Sequence, residues 1–290
     1  MLTGKSILHV KQDIGKCFSI QEIKGYYNNL TEKVLRDKNH IYEIEYLPLF
    51  QTEKGENIFF PITIFQYGLG CYDLYLQTGE KFYLEKSLHC ATWGVLNQED
   101  CGGFNTFSFI YPDNPYSAMC QGEAVSLFLR MYVATGEKKF VDAAKKALDF
   151  MLLPLEQGGT TEYLNNGIIF KEYTHLPVVL NGWIFALFGL FDWVLMNGED
   201  QYKETFNRSL MTLSNSLKTF DCGYWTKYDM QNKIASRFYH NLHIAQMEAL
   251  KQITRNDTFE QYEMQWRKYE KSRWKRFKAF IKKAFQKIKE

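Results

Sequence analysis

The densest group of polar side chains lies between Tyr224 and Gln246, in the run YWTKYDMQNKIASRFYHNLHIAQ. Its members with hydroxyl, carboxyl, guanidinium, imidazole or amide groups are Tyr228, Asp229, Arg237, Tyr239, His240, His243 and Gln246. His240 and His243 are three residues apart and so share one face of a helix. Two histidines with no carboxylate at ligand spacing make a weak metal site. We therefore predict no metal and no cofactor, with one histidine in a structural hydrogen bond and the other facing a groove.

Two further polar segments lead into apolar helices. One is the run KEYTHLP at 171–177, which precedes Asn181 and contains Glu172 and Tyr173. The other is the run YPDNPYSAMCQGE at 111–123, with Tyr116 and Gln121. Side chains at such helix entrances are expected to point into one cavity. In the second segment the prolines and the short polar residues equally fit turn and capping chemistry.

Aromatic residues make up 17% of the chain, with 19 Tyr and 23 Phe, and many tyrosines occur in polar segments. Sugars stack on aromatic faces, so tyrosines at loop ends suggest a carbohydrate cleft. The alternative, that aromatics fill the core of a large helical fold, is favoured for the phenylalanines.

A repeated turn organises these segments. Thr-Gly-Glu-Lys occurs at 78–81 and at 135–138, Asn-Gly-Glu-Asp at 197–200, and a weaker version at 255–257, with spacings of 57, 62 and 59 residues. An apolar segment precedes each turn and a mixed-charge segment follows it. Each unit therefore predicts an inner helix, a tight turn and an outer helix, a periodicity typical of repeat architectures. The nearly uniform apolarity of the inner helices favours a closed toroid over a flat solenoid.

The predicted fold class is thus all-α, an (α/α) toroid of about four helix pairs with loops or hairpins at one rim. Gly-rich returns at 100–104, 158–160 and 221–225 indicate those rim loops. We expect an N-terminal arm at 1–60, with strand-like runs at 40–50 and 57–63, a catalytic toroid at 61–270 and a basic C-terminal helix at 271–290.

Composition excludes several classes of protein. A hydrophobic content of 46% over 290 residues is enough for a sizeable core, which excludes a disordered chain. Residues 271–290 hold nine of the 35 Lys and Arg, so the remainder has 26 bases against 32 acids. That remainder lacks the overall positive charge expected of a nucleic-acid-binding protein. The six cysteines show no zinc-ligand spacing. With no signal-peptide core at the N-terminus, and with the apolar run 182–196 interrupted by Asp192, we expect a cytoplasmic protein.

Three segments, SAMCQGEAVSLFLRMY, KEYTHLPVVLNGWIFALFGLFDW and YHNLHIAQMEAL, resemble the C-terminal domain of the D-glucuronyl C5-epimerases, which modify heparan sulfate and heparosan. The resemblance runs from about Pro61 to Tyr269, with the motifs in order. It implies an (α/α) toroid and an isomerase that inverts C5 of D-glucuronic acid units in a polymer, giving L-iduronic acid. A bacterial-type member acting on an exopolysaccharide or capsule is the natural interpretation.

The resemblance also implies site residues. The family's tyrosines correspond to Tyr173, Tyr228 and Tyr239, with Glu172 beside the first. A tyrosine base needs a neighbouring cation or donor to stabilise phenolate, and Arg237, His240 and His243 are the candidates. We expect Tyr173 or Glu172 to act from one face of the sugar and Tyr239 from the other, with Tyr228 orienting or relaying.

We assign the substrate carboxylate to Arg237 and Asn181, and expect His240, His243, Gln121 and Tyr116 to contact substrate as well. The sequence departs from the family at Gln231, where an arginine is usual shortly after Tyr-Asp. The carboxylate partner, and with it the native substrate, therefore need not be those of the family.

Three other functions share parts of this pattern. A polysaccharide lyase begins with the same C5 proton abstraction, and a uronic-acid hydrolase would need a pair of acids such as Glu172 and Asp229. A non-catalytic polysaccharide-binding protein would keep the cleft and lose the chemistry. A homodimer is compatible with the sequence.

The C-terminal run KSRWKRFKAFIKKAFQKIKE at 271–290 has apolar residues at helical spacing with lysines between them. Such a basic amphipathic helix suits the surface of an anionic membrane. It would also suit docking on the toroid or binding of a polyanionic polysaccharide. A membrane contact would bring the enzyme to the inner face of the membrane.

Overall fold

Four antiparallel helix pairs form the body of the protein. A computed structural model describes residues 10–36, 43, 44 and 47–289. The helices are α1 (Thr31–Leu35), α2 (Pro61–Thr78), α3 (Lys81–Asn97), α4 (Ala118–Thr135), α5 (Lys138–Leu152), α6 (Leu180–Asn197), α7 (Asp200–Ser216), α8 (Arg237–Thr254), α9 (Asp257–Lys271) and α10 (Arg273–Lys289). Helices α2, α4, α6 and α8 are the inner members of the pairs, and α3, α5, α7 and α9 are the outer members. The predicted all-α toroid of four pairs is confirmed.

The inner-to-outer turns follow the repeat read from the sequence. Gly79, Gly136 and Gly198 end α2, α4 and α6 in the left-handed region, with φ of 76°, 73° and 64°. Each donates its N–H to the carbonyl four residues earlier and so closes the last helical turn. In the fourth turn Arg255 takes this conformation, with φ of 53°. The equivalent of the glycine is therefore Arg255, two residues before the position expected from the sequence.

Inner helices supply most of the core. On α6 every residue from Leu180 to Trp193 is buried. Among the described residues α6 alone has the length and apolarity to cross a membrane, but 78% of that stretch is buried in the fold, as expected of a core helix. It approaches α4 closely, since a Cβ added to Gly122 would lie 2.6 Å from the Cα of Ala186.

Short hairpins precede the first helix pair and join the second pair to the third. Strands β1 (Glu43–Ile44) and β2 (Leu47–Pro48) pair antiparallel, as do β3 (Phe50–Gln51) with β4 (Asn57–Ile58) and β5 (Thr161–Leu164) with β6 (Gly167–Phe170). Single 3-10 turns cover Leu155–Gln157 and Leu217–Phe220. The expected strand at 57–63 is wrong beyond β4, because Pro61 begins α2 at a position that favours proline. Of the expected run at 40–50, residues 40–42, 45 and 46 lie outside the described residues.

Part of the N-terminal arm belongs to the core. Tyr26, Tyr27 and Leu30 are fully or almost fully buried. Tyr26 donates its N–H to Asp73 at 2.9 Å, and the Tyr27 hydroxyl donates to Asp192 at 2.6 Å. Their rings pack on those of Phe185, Phe188 and Phe191 of α6. The arm therefore fills the axis of the toroid, which the sequence did not predict.

A buried ion pair holds the arm against the inner helices. Arg130 on α4 donates to Asp192 on α6, with 2.6 Å between Nη1 and Oδ2, and both side chains are almost inaccessible to solvent. Nη2 of Arg130 donates to the carbonyl of Gly25 at 2.8 Å. Burial raises the pKa of the nearby Asp73 to about 7, against the opposing effects of the Tyr26 N–H and Arg130.

We expect Asp192→Asn to lower the free energy of unfolding by about 3–5 kcal/mol, because it leaves the Arg130 charge buried without its counterion. Denaturant unfolding measures the change. A matched control is Asp149→Asn, which breaks the exposed pair with Lys145 and should change stability by less than about 1 kcal/mol. Equal effects of the two substitutions would contradict a structural role for the buried pair.

Candidate active site

A cavity of about 490 Å³ opens at the N-terminal ends of the inner helices. Each inner helix contributes to its wall, through Ile62, Thr63 and Gln66 of α2, Met119 of α4, Asn181 and Phe185 of α6, and Phe238, Tyr239 and Leu242 of α8. The loop at 107–110, Glu172 and Tyr173, and the β3–β4 hairpin complete the rim. Gln12 and Lys33 of the arm also line it. The cavity is thus closed on one side by the arm that fills the toroid axis.

Glu172 is the buried carboxylate of this cavity. It follows β6, and its neighbour Lys171 is fixed by backbone hydrogen bonds to Thr160 and Ala118, each of 2.9 Å. Oε2 of Glu172 lies over Gly182, where an added Cβ would come within 2.3 Å of it. This oxygen has no hydrogen-bond partner among the described residues. Glycine at position 182 therefore makes the room that the carboxylate occupies.

Burial raises the pKa of Glu172 to about 7, and hydrogen bonding by Tyr173 and Tyr228 acts in the opposite direction. A carboxyl group with this pKa exchanges protons readily near neutral pH. Its position in a cavity, with one oxygen unsatisfied, is typical of a general acid or base.

Three tyrosines surround Glu172. Tyr173 stacks on Phe107 with 4.6 Å between ring centroids, and Tyr228 packs on Tyr239 at 4.7 Å. Hydrogen bonding links Tyr228 to both Tyr173 and Tyr239. Tyr173 and Tyr239 line the cavity, whereas Tyr228 does not and lies between them. The four residues that the sequence singled out for catalysis are therefore brought into one cluster.

The electrostatics of these tyrosines differ from the expectation of a stabilised phenolate. Burial first, and then the charge of Glu172, raises the pKa of Tyr173, Tyr228 and Tyr239 above the ordinary value. All three are consequently phenols at neutral pH and can donate protons, while Glu172 is the group that titrates.

The two histidines do not line the cavity. His240 stacks on Trp225 at 3.6 Å, and its ring nitrogens lie 2.9 Å from Thr226 Oγ1 and 3.2 Å from the Trp266 carbonyl oxygen. His243 Nδ1 lies 3.2 Å from the same Thr226 oxygen. Burial lowers the pKa of His240 to about 3 and also lowers that of His243, so both rings are neutral. The expectation that one of them faces the groove is wrong, because both are held between α8, α9 and the preceding loop.

Arg237 is also placed away from the cavity. It forms an ion pair with Glu270 of α9 at 2.6 Å and borders a separate groove beside α10. Gln231, which stands where the family usually has arginine, is exposed and does not line the cavity. The placement of Arg237 therefore does not support it as the partner of a substrate carboxylate.

Of the three remaining predicted substrate contacts, one lines the cavity and two do not. Asn181 lines the cavity, and its buried Oδ1 has no partner among the described residues. Tyr116 instead donates to Glu99 at 2.6 Å and packs on Phe150. Gln121 is fully buried and outside the cavity lining. Of these three residues, Asn181 alone lines the cavity.

Sequence reasoning missed two ionisable groups at the cavity: Lys33, which lines it, and Glu123, which is hydrogen bonded to the cavity residue Gln66. Gln66 lines the cavity and donates to Glu123 at 2.7 Å. Burial raises the pKa of Glu123 to about 8, while Gln66 and Lys33 act to lower it. Burial also lowers the pKa of Lys33 to about 8. A glutamate within the apolar run of α4 was the available signal for this group; nothing in the repeat pointed to a lysine of the arm.

No group of three or more His, Cys, Asp or Glu side chains within residues 10–36, 43, 44 and 47–289 is arranged to hold a metal ion.

Two relatives of known sequence match more than half of the chain. A D-glucuronyl C5-epimerase of Caenorhabditis elegans is 24% identical over an alignment of 205 residues that covers 61% of this chain and 33% of that protein. An uncharacterised protein of Methanocaldococcus jannaschii is 28% identical over 156 residues, 52% of this chain and 51% of the relative. The matches thus cover about a third and about half of the length of these relatives.

Solved structures share the fold. The Lin0763 protein of Listeria innocua superposes with a TM-score of 0.56 at 12% identity, over 80% of this chain and 73% of the other. An α-1,6-mannanase of Salegentibacter, solved with α-1,6-mannotriose, gives a TM-score of 0.52 at 15% identity, over 83% and 66%. At these identities the likeness concerns the (α/α) toroid alone.

The model of the D-glucuronyl C5-epimerase C-terminus matches residues 103–268, a stretch that includes Glu172 and all three clustered tyrosines. The match covers more than half of the chain. The chain therefore belongs to the D-glucuronyl C5-epimerase C-terminal family.

Proposed function

We propose that the protein inverts C5 of D-glucuronic acid units within an acidic polysaccharide and so produces L-iduronic acid units. Family membership supports an epimerase, an isomerase acting on a glucuronyl unit. The observation that carries the specific reaction is Glu172, a buried carboxylate that lines the cavity, has an unsatisfied oxygen and has a pKa raised to about 7. Such a group is suited to take a weakly acidic carbon-bound proton at neutral pH.

In the proposed reaction the ionised Glu172 removes the C5 proton, and the electron pair passes into the adjacent substrate carboxylate. The Tyr239 hydroxyl then donates a proton to C5 on the opposite face. Its raised pKa keeps the phenol protonated until the carbanion, a far stronger base, forms. One proton leaves the sugar and one returns, so the sugar changes configuration without any net change in composition.

After one turnover Glu172 is protonated and Tyr239 is a phenolate. Tyr228 and Tyr173 provide a route for resetting them, since Tyr228 is linked to both of the other tyrosines and both Tyr173 and Tyr228 hydrogen bond with Glu172. A proton that passes along this chain returns both groups to their starting states. Tyr228, which does not line the cavity, thus serves as a relay.

We assign the substrate carboxylate to Lys33 together with Asn181. The intermediate carries extra negative charge on that carboxylate, so a cation or amide donor fixed in the cavity stabilises it. Lys33 supplies the cation that Arg237 and position 231 do not bring to the cavity. Burial lowers the pKa of Lys33 to about 8 while Glu123 acts in the opposite direction, so the ammonium form still predominates at neutral pH.

Glu172→Gln should reduce turnover by about 10²–10⁴-fold, the usual contribution of a general base. The measurement is NMR of heparosan and other glucuronic-acid polymers in heavy water, which follows deuterium at C5 and iduronic acid signals. Glu162→Gln, on the half-exposed strand before the same segment, is the matched control and should retain activity. Full exchange by the Glu172 variant would contradict the assignment, and ultraviolet absorbance from a C4–C5 double bond would instead identify a lyase.

The pH dependence of kcat/KM should be bell-shaped. Activity falls as the pH drops through about 7, the pKa of Glu172, because the carboxylate becomes protonated. It also falls as the pH rises through about 8, the pKa of Lys33, because the lysine loses its charge. In Lys33→Arg the falling limb should move to higher pH, because arginine stays protonated. Lys33→Met should lower kcat/KM below the lysine pKa of about 8, converge with the wild type above it and so remove that limb. A wild-type profile in Lys33→Arg would show that the falling limb belongs to another group.

A further inference from the structure

Helix α10 exposes an unusual apolar surface. Trp274, Phe277, Ile281, Phe285 and Ile288 recur at helical spacing and lie on one side of the helix, a set here called the α10 stripe. Their exposed fractions are 73%, 56%, 37%, 60% and 81%, respectively. Apolar surface concentrated in this way on a soluble fold usually marks an interaction site.

The opposite side of α10 is fixed to the toroid. Ala279 is buried, and the Gln286 side chain accepts from the Ile234 N–H and donates to the Asn232 carbonyl, both at 2.9 Å. Lys275 and Lys278 cover the rings of Tyr269 and Tyr224 at 4.1 and 4.2 Å. Docking on the protein therefore uses one face of the helix and leaves the stripe pointing outward.

Basic side chains border the stripe. Residues 273–288 contain seven Lys and Arg and no acid. Arg273, Lys282 and Lys287 are exposed beside the stripe. Next to it a groove of about 390 Å³ is bordered by Arg276, Lys283 and Lys287 together with Phe277 and Phe280. A surface that is apolar along its centre and cationic along both edges matches acyl chains below a layer of anionic headgroups.

We propose that the α10 stripe binds the surface of an anionic lipid bilayer, with its aromatic residues in the headgroup region and its lysines on lipid phosphates. A second copy of this helix would place like charges edge to edge, which disfavours a dimer through the stripe. A polyanionic polysaccharide would engage the lysines but would leave five large apolar side chains in water. A bilayer satisfies both parts of the surface.

Helix α10 packs beside chain segments that also carry residues of the candidate site. The helix packs on residues 232–235, within the loop that also carries Tyr228, next to the start of α8. Membrane binding would hold that side of the toroid at the lipid surface. The proposal concerns location only and does not depend on the reaction assigned to Glu172.

Co-sedimentation of the full chain with vesicles is the direct test. We expect binding to phosphatidylcholine vesicles that contain phosphatidylglycerol, weak binding to phosphatidylcholine alone, and weakening by salt. The stripe variant Phe277→Ser, Phe285→Ser, Ile288→Ser should bind more than about tenfold less tightly, because the inserted apolar area is lost. These side chains are mostly exposed, so the fold should be retained, as circular dichroism would verify.

A matched control replaces equally exposed apolar residues elsewhere. Leu96, Met211 and Met264 are 78%, 56% and 50% exposed, and their triple change to Ser should leave vesicle binding intact. Lys282→Glu with Lys287→Glu should weaken binding to the anionic vesicles only. Trp274 fluorescence should shift to the blue on binding, and the shift should disappear in Trp274→Phe while co-sedimentation persists.

Unchanged vesicle binding by the stripe variant would overturn the proposal. A dimer that dissociates in the stripe variant, without vesicle binding by the wild type, would assign the stripe to a second copy of the chain. Salt-sensitive binding to heparosan that the lysine changes abolish and the stripe changes spare, again without vesicle binding, would assign α10 to polysaccharide.

Discussion

The buried charge of Arg130 is the constraint on which the rest of the structure depends. A guanidinium group in the core is tolerable only when its charge is matched, and here the groups that bond its two terminal nitrogens come from three separate parts of the chain. Asp192 comes from α6, the Ser126 carbonyl from α4 and the Gly25 carbonyl from the arm. The same interaction that joins two inner helices therefore fixes the arm, and the arm brings Lys33 and Gln12 to the cavity.

Burial separates the roles of the groups at the site. The tyrosines lose any tendency to ionise, whereas Glu172 is moved into the range where a carboxyl group both takes and releases protons. Close packing achieves this without an arginine among the cavity-lining residues described. Gly182 contributes by having no side chain, since any Cβ there would displace the carboxylate.

The sequence predicted much of the fold because the toroid is made of local repeats. Glycine turns and alternating inner and outer segments define helices that the structure places within a few residues of their expected bounds. It also predicted Glu172, Tyr173, Tyr228 and Tyr239, which lie in motifs shared with a known family. Arg237, His240 and His243 were assigned from chemical type alone, and the direction of a side chain at a helix start depends on packing partners that are distant in sequence. Lys33 was missed for the same reason, as its place depends on how the non-repeating arm folds.

The arm that fills the axis also determines how a long substrate can approach. With Tyr26 and Tyr27 packed on α6 inside the toroid, the arm lines one side of the cavity, whose mouth is at the N-terminal ends of the inner helices. Under the proposed function, a polymer would therefore lie across this mouth with one sugar unit in the cavity. Recognition of this kind needs no free chain end, and release needs no threading. Modified sugar units would then arise from separate binding events, and they would be scattered along the polymer instead of forming a continuous block.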